Sequence, residues 1–312
     1  MTDLPIQQQT LEKSVSRSGI GLHSARLVDI TLHPAPADTG IVFRRTDISG
    51  VDHSIPALSS NIADTMLNSQ IMNRDGVTVG TVEHLMAAFC GMGVDNAFVD
   101  INAAELPAMD GSALLYCEMI REAGVKPQVA SRRYLQVLRP IRVEKDESYA
   151  EITPAHDLKI NVSIDFVDPA IGRSQYYYNH TDISFETELA SARTFCLYAD
   201  VTKLRAAGYA LGGSLDNAIV VKEGVILNDG GLRYSDEFVR HKTLDCLGDF
   251  YLAGAHVLGN VKTSQPSHAL NNLLLQALLA DEDAWRIVDS TASAGVQLPH
   301  DEPAQAAMVR FA

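Results

Sequence analysis

Val239 to Asp249 reads V-R-H-K-T-L-D-C-L-G-D. Wound as a helix, His241, Asp245 and Asp249 step by four residues and stay on one stripe, drifting about 40° per step. Val239, Leu244, Leu247, Phe250 and Tyr251 fall on the other side. The segment has an apolar face for a core and a His/Asp/Asp face for something else. An imidazole and a carboxylate at i and i+4 can both reach one divalent cation. A solvated polar face fits the same spacing.

A second segment far upstream favours ligation. Gly80 to Gly93 reads G-T-V-E-H-L-M-A-A-F-C-G-M-G. Thr81 is expected as its N-cap, Leu85 to Phe89 are good helix formers, and Gly91 or Gly93 ends the helix. Glu83 and His84 then occupy the first turn, where exposed N–H groups favour a carboxylate anion and disfavour an imidazolium. Plain capping explains a first-turn Glu equally well. If His84, His241 and Asp245 converge, they form a two-histidine, one-carboxylate set with positions open for water and substrate. That set fits catalytic zinc, and also non-haem iron. Glu83 beside a ligand tips the choice towards hydrolysis, which needs a base next to the metal. His268 opens a third apolar helix, Ser267 to Ala280, with Ser267 as N-cap. A cationic His268 at a helix start needs a carboxylate partner, and Asp249 is the obvious one.

Bulk composition narrows the class. With 312 residues and 46% hydrophobic content, the chain has enough material for one large or two smaller cores. A net charge of −14 argues against nucleic acid as partner and against tight docking on an anionic membrane. The scattered Cys90, Cys117, Cys196 and Cys246 read as free thiols in a reducing compartment. No export signal and no membrane-length apolar run is visible, so the expectation is a cytoplasmic protein.

Along the chain, Leu27–Leu32 alternates as a strand after a turn-like Gly19–His23, and Ala97–Ile101 is a second strand. A helix is expected from Ala113 to Glu122. Periodicity then lapses, which divides the chain into residues 1–125, a linker at 126–134 and residues 135–312. The second part opens with strands at Leu135–Val143, Tyr149–Ile152 and Leu158–Ile164. Leu197, Val201 and Leu204 share one face of a short helix, and a hairpin turns at Lys222–Gly224. Strands mixed with paired helices, without β-α-β alternation, point to two α+β layers rather than a doubly wound sheet.

The residues also carry a family resemblance. T-V-E-H-L, V-D-N-A-F-V, E-L-P-A-M-D-G-S-A, A-R-T-F, L-G-G-S-L-D-N-A-I-V-V, D-E-F-V-R-H-K-T-L-D-C-L-G-D and S-H-A-L-N-N occur in that order over nearly the whole chain. Together they resemble the UDP-3-O-acyl-N-acetylglucosamine deacetylases of lipid A synthesis. The resemblance implies two similar α/β sandwich domains in tandem, with the site at their junction. It implies zinc on His84, His241 and Asp245 (donors that iron(II) could also occupy), Glu83 as base, His268 held by Asp249, and Thr194 at the oxyanion. Phe195 and Lys242 would meet the sugar or nucleotide, and an insert near residues 195–222, with Leu197, Val201 and Leu204, would hold the acyl chain. The partner would be an acylated nucleotide sugar. Two positions depart from the family pattern. Gln265 stands where relatives often carry a lysine, with Lys262 as a substitute, and Asp168 replaces an expected histidine. Rival readings are an amidohydrolase for another N-acyl sugar, or a non-catalytic nucleotide-sugar or lipid binder with a structural metal.

Overall fold

The computed structural model describes residues 7–180, 185–290 and 307–309. Its helices are α1 (Glu83–Gly91), α2 (Leu114–Ala123), α3 (Phe185–Glu188), α4 (Tyr198–Ala206), α5 (Glu237–Tyr251) and α6 (His268–Ala280). In the first half a five-stranded sheet runs in the order Val15–Ile20, Leu27–Pro34, Ala97–Ile101, Ile41–Arg45, Ser54–Pro56. Along Leu27–Pro34 the period-two alternation buries Val28, Ile30 and Leu32 and turns Leu27 and Asp29 to solvent. One face therefore needs cover, and α2 packs on the Val15–Ile20 strand while α1 packs on α2.

The second half carries a larger sheet. Its order is Arg173–Asn179, Leu158–Asp165, His256–Ser264, Ser148–Pro154, Ile141–Lys145, Ala307–Val309, with Arg133–Val137 and Trp285–Asp289 joined beside His256. Here α5 lies on Leu158–Asp165 and Arg173–Asn179, and α6 lies on Ile141–Lys145 and Ser148–Pro154. The two halves meet helix to helix, α1 against α5. One continuous apolar cluster runs through both, from Leu11 and Phe43 to Leu247 and Leu278. Glu83 to Cys90 are all buried, and beyond the polar Glu83-His84 pair α1 is apolar on every side. The class is the mixed α+β expected. No helix among the described residues is long and apolar enough to cross a membrane.

Three local expectations change. Residues 126–134, expected as a linker, run mostly as strand Val125–Ser131, paired antiparallel with Gln7–Leu11, and enter strand Arg133–Val137. Its side chains are largely exposed, so pairing with the N-terminal strand, and not burial, orders it. The expected Leu135–Val143 strand is two strands, broken at Leu138-Arg139-Pro140, where proline has no N–H for the ladder. Thr81 is not a cap: Val82 holds that position with no side-chain cap, and Thr81 has φ +60°. Backbone bonds from Gly80 to Ala104 and from Val82 to Ser69 pin this turn, and Asn68 donates to the Thr81 hydroxyl at 3.0 Å. A left-handed β-branched residue costs about 1–3 kcal/mol, and this one sits directly before Glu83.

Candidate metal centre and apolar cavity

The polar stripe of α5 faces inward. His241 and Asp245 are 2% and 3% exposed, which rules out a solvated face. The first turn of α1 brings His84 to them. Asp245 Oδ1 lies 3.3 Å from His241 Nε2 and 3.6 Å from His84 Nε2, and the two imidazoles meet edge to face. His241 Nδ1 is 3.0 Å from the Ala192 carbonyl oxygen. That contact makes Nδ1 the donor and leaves the Nε2 lone pair facing the cluster. Asp245 Oδ1 is buried with no hydrogen-bond partner. An orphaned carboxylate oxygen between two imidazole nitrogens is what a divalent cation would satisfy, so the residues fit the ion. Burial pushes His241 down to about 3, keeping its imidazole neutral, the form that can ligate a cation. Burial opposes charge on Asp245, but His241 and then Lys242, 3.1 Å from its other oxygen, hold it well below the usual carboxylate range.

Beside this cluster stands a second polar chain. His268 Nδ1 is 2.9 Å from Asp249 Oδ2, and its Nε2 is 3.6 Å from Glu83 Oε1. Asp249 also accepts from the Ser69 hydroxyl at 2.6 Å and from the Asn271 amide at 2.8 Å. The Ser69 backbone N–H donates to Glu83 Oε2 at 3.0 Å, fixing that carboxylate. Burial raises the Glu83 pKa, against the pull of His268. For His268 burial works downward, but Asp249 and Glu83 prevail and raise it to about 10. A proton acceptor and a proton donor thus flank the cluster.

Two helices must come unusually close to assemble these groups, and Gly248 lets them. A Cβ at Gly248 would lie 2.0 Å from the Glu83 carbonyl oxygen. Gly248 stands in the Val239–Asp249 stretch with no local sign of this role. Asn271 lay in a motif already in view; Ser69 lies in an aperiodic stretch that carries no signal.

Residues 8–280 match the family model of the UDP-3-O-acyl N-acetylglycosamine deacetylases. The chain belongs to this family. A UDP-3-O-acyl-N-acetylglucosamine deacetylase of Shewanella sp. (strain W3-18-1) is 43% identical over 303 residues, covering 96% of this chain and 99% of the relative. The enzyme of that name from Shewanella baltica strain OS155 is 42% identical over 300 residues, 96% and 98% of the two chains.

In this deacetylase-family chain Phe195, its ring centroid 6.3 Å from that of His241, joins Thr194 in lining an apolar cavity of about 350 Å³. Val201 and Leu204 line it, together with Leu22, Leu67 and Leu215, which the sequence reading did not single out. Leu197 does not. It belongs to strand Phe195–Leu197, and α4 begins only at Tyr198, so the expected three-residue helical face is broken at its first member. Leu197 packs against the core instead. The Phe195 ring stands between Phe238, Phe166 and His241. The loop before it is anchored by Arg193, which donates to the fully buried Glu237 carboxylate at 2.8 and 3.1 Å. Gly111 adds a close approach: at φ +83°, any Cβ would strike the Asn217 carbonyl oxygen.

Lys242 lines a separate open groove with Phe166, Ser148, Gln265 and Pro266, its ammonium 5.7 Å from the Phe195 ring centroid. Lys262 is exposed on its strand and does not line that groove. Asp168 is a loop fastener, accepting from the N–H groups of Ala170 and Gly224.

Proposed function

We propose that the chain is a zinc-dependent deacetylase. It hydrolyses the 2-acetamido group of UDP-3-O-(3-hydroxyacyl)-N-acetylglucosamine to the free amine and acetate, a step of lipid A biosynthesis. The observation that carries this reading is the Glu83 carboxylate, buried and fixed by Ser69 beside the His84, His241 and Asp245 cluster. A merely structural metal needs no such neighbour.

Those three residues would hold the ion; iron(II) suits the same donors. When bound, the metal polarises the amide carbonyl and acidifies water. Glu83 takes the proton of the attacking water, a task suited to a carboxylate whose basicity burial has raised. Thr194, which lines the cavity beside Phe195, would donate to the oxygen that becomes negative. His268, kept cationic by Asp249, stabilises that charge and supplies the leaving nitrogen's proton unless Glu83 returns it. The cavity past Phe195 takes the acyl chain, and Lys242 with Phe195 meets the sugar and nucleotide. The acyl chain thereby fixes the acetamido group at the cluster, binding energy used for orientation.

The test is Glu83→Gln. It should retain bound metal and lose about 10²–10⁴-fold in kcat. Near-normal turnover would refute the assignment. Acetate release should depend on the 3-O-acyl group, so equal rates on unacylated UDP-N-acetylglucosamine would point to a different N-acyl sugar.

A further inference from the structure

A second set of ligand-type side chains lies at the opposite end of α1. Cys90, in its last turn, meets His256 at the start of strand His256–Ser264 and His180 just after strand Arg173–Asn179. One potential ligand atom from each lies within 4.8 Å of the other two. We propose that Cys90, His180 and His256 form a second, structural site for a borderline divalent cation of the zinc class, separate from the catalytic set.

Three observations carry this. The spacing is right: tetrahedral zinc, with bonds of about 2.3 Å to sulfur and about 2.05 Å to nitrogen, puts S and N roughly 3.6 Å apart. Cys90 Sγ and His256 Nδ1 are 3.8 Å apart. The outer partners are in place, as metal-bound imidazoles require of their second nitrogens. His256 Nε2 is 3.5 Å from Asp95 Oδ1, and the Tyr178 hydroxyl is 2.9 Å from His180 Nδ1. Asp95 is itself clamped by Arg132 at 2.7 and 3.0 Å. Enclosure is right as well: Cys90 and His256 are buried and His180 is partly so, which shields the ligand atoms from bulk water.

The donors come from both halves of the chain. An ion there would cross-tie the end of α1 to the second sheet, while the catalytic set ties its beginning to α5. Cys90 lies six positions after His84, about 9 Å along the helix axis, so the two ions would share no ligand. One thiolate and two imidazoles suit zinc or cobalt and disfavour magnesium or calcium.

The test is titration of metal-free full-length protein with cobalt(II). The catalytic set contains no sulfur, so a thiolate-to-cobalt charge-transfer band reports the second site alone. The wild type should take up two equivalents with that band. Cys90→Ala should take up one, without the band, and keep deacetylase activity. His84→Ala should take up one and retain the band. A single equivalent with no band in the wild type overturns the proposal, because the cluster is then only a thiol–imidazole hydrogen bond. A band that survives Cys90→Ala overturns it too. If Cys90→Ala does not fold, Tyr178→Phe decides. Weaker binding of the band-forming equivalent, by about tenfold or more, supports the site, and unchanged binding overturns it.

Discussion

Gly248→Ala tests whether the approach of two helices builds the catalytic cluster. The added Cβ would lie 2.0 Å from the Glu83 carbonyl oxygen, against a floor of 3.0 Å for real contacts, so α1 and α5 must part by about 1 Å. The obstacle is backbone on both sides, and no side chain can swing away. Glu83 and His84 ride on α1, whereas His241, Asp245 and Asp249 ride on α5, so separation divides the cluster between its two carriers. A misplacement of this size is worth about 10²-fold in rate, or roughly 2.7 kcal/mol of barrier. Stability moves less. Overpacking costs about 1–3 kcal/mol, and replacing a mid-helix glycine by alanine returns about 1 kcal/mol. The expected variant is folded, loses at most about 2 kcal/mol in a urea melt, binds its metal more weakly and has kcat/KM lowered about 100-fold. A folded Gly248→Ala protein with turnover within about twofold of wild type would show that the helix spacing does not position the reacting groups.

Asp249→Asn removes a charge that holds His268 near 10, so the His268 pKa falls. With His268 as the cation of the proposed mechanism, the basic limb of the kcat/KM profile should move to lower pH, and an unmoved limb would exclude His268 as the acid. The same raised pKa makes a stability contribution present below about 6.5 that fades as pH climbs through about 10; the variant should lack that dependence. Val201→Trp fills the cavity beside Thr194 and should raise KM for long-acyl substrate by about tenfold or more while sparing short-acyl analogues; equal effects on both would place the acyl chain elsewhere. Glu237→Gln leaves Arg193 buried without its ion pair, and should cost about 3 kcal/mol in a urea melt; a loss below about 1 kcal/mol would mean the pair is not what anchors the Thr194 loop.

Much of this site was written in local pattern. The i, i+4 stripe on Val239–Asp249, the E-H pair opening α1 and the His268–Asp249 partnership follow from helix geometry and charge, which a linear chain already encodes. The Ser267 cap was legible for the same reason, since its hydroxyl accepts from Leu270 N–H within one turn. Charge, hydropathy and the mixture of strand and helix patterns were enough for the α+β class. What no window of sequence contains is the meeting of distant backbones. Gly248 matters because of where Glu83 lies, 165 positions earlier; Ser69 matters because its N–H and hydroxyl reach Glu83 and Asp249 at once. Thr81 reads as a cap by residue type, yet long-range bonds force it into a left-handed turn. Leu197 shares a helical spacing with Val201 and Leu204, but pairing with the Ile219–Lys222 strand claims it first. Local periodicity sets which face of an element is polar; the polar faces acquire a chemistry only when packing, summed over the whole core, brings two of them within a few ångströms.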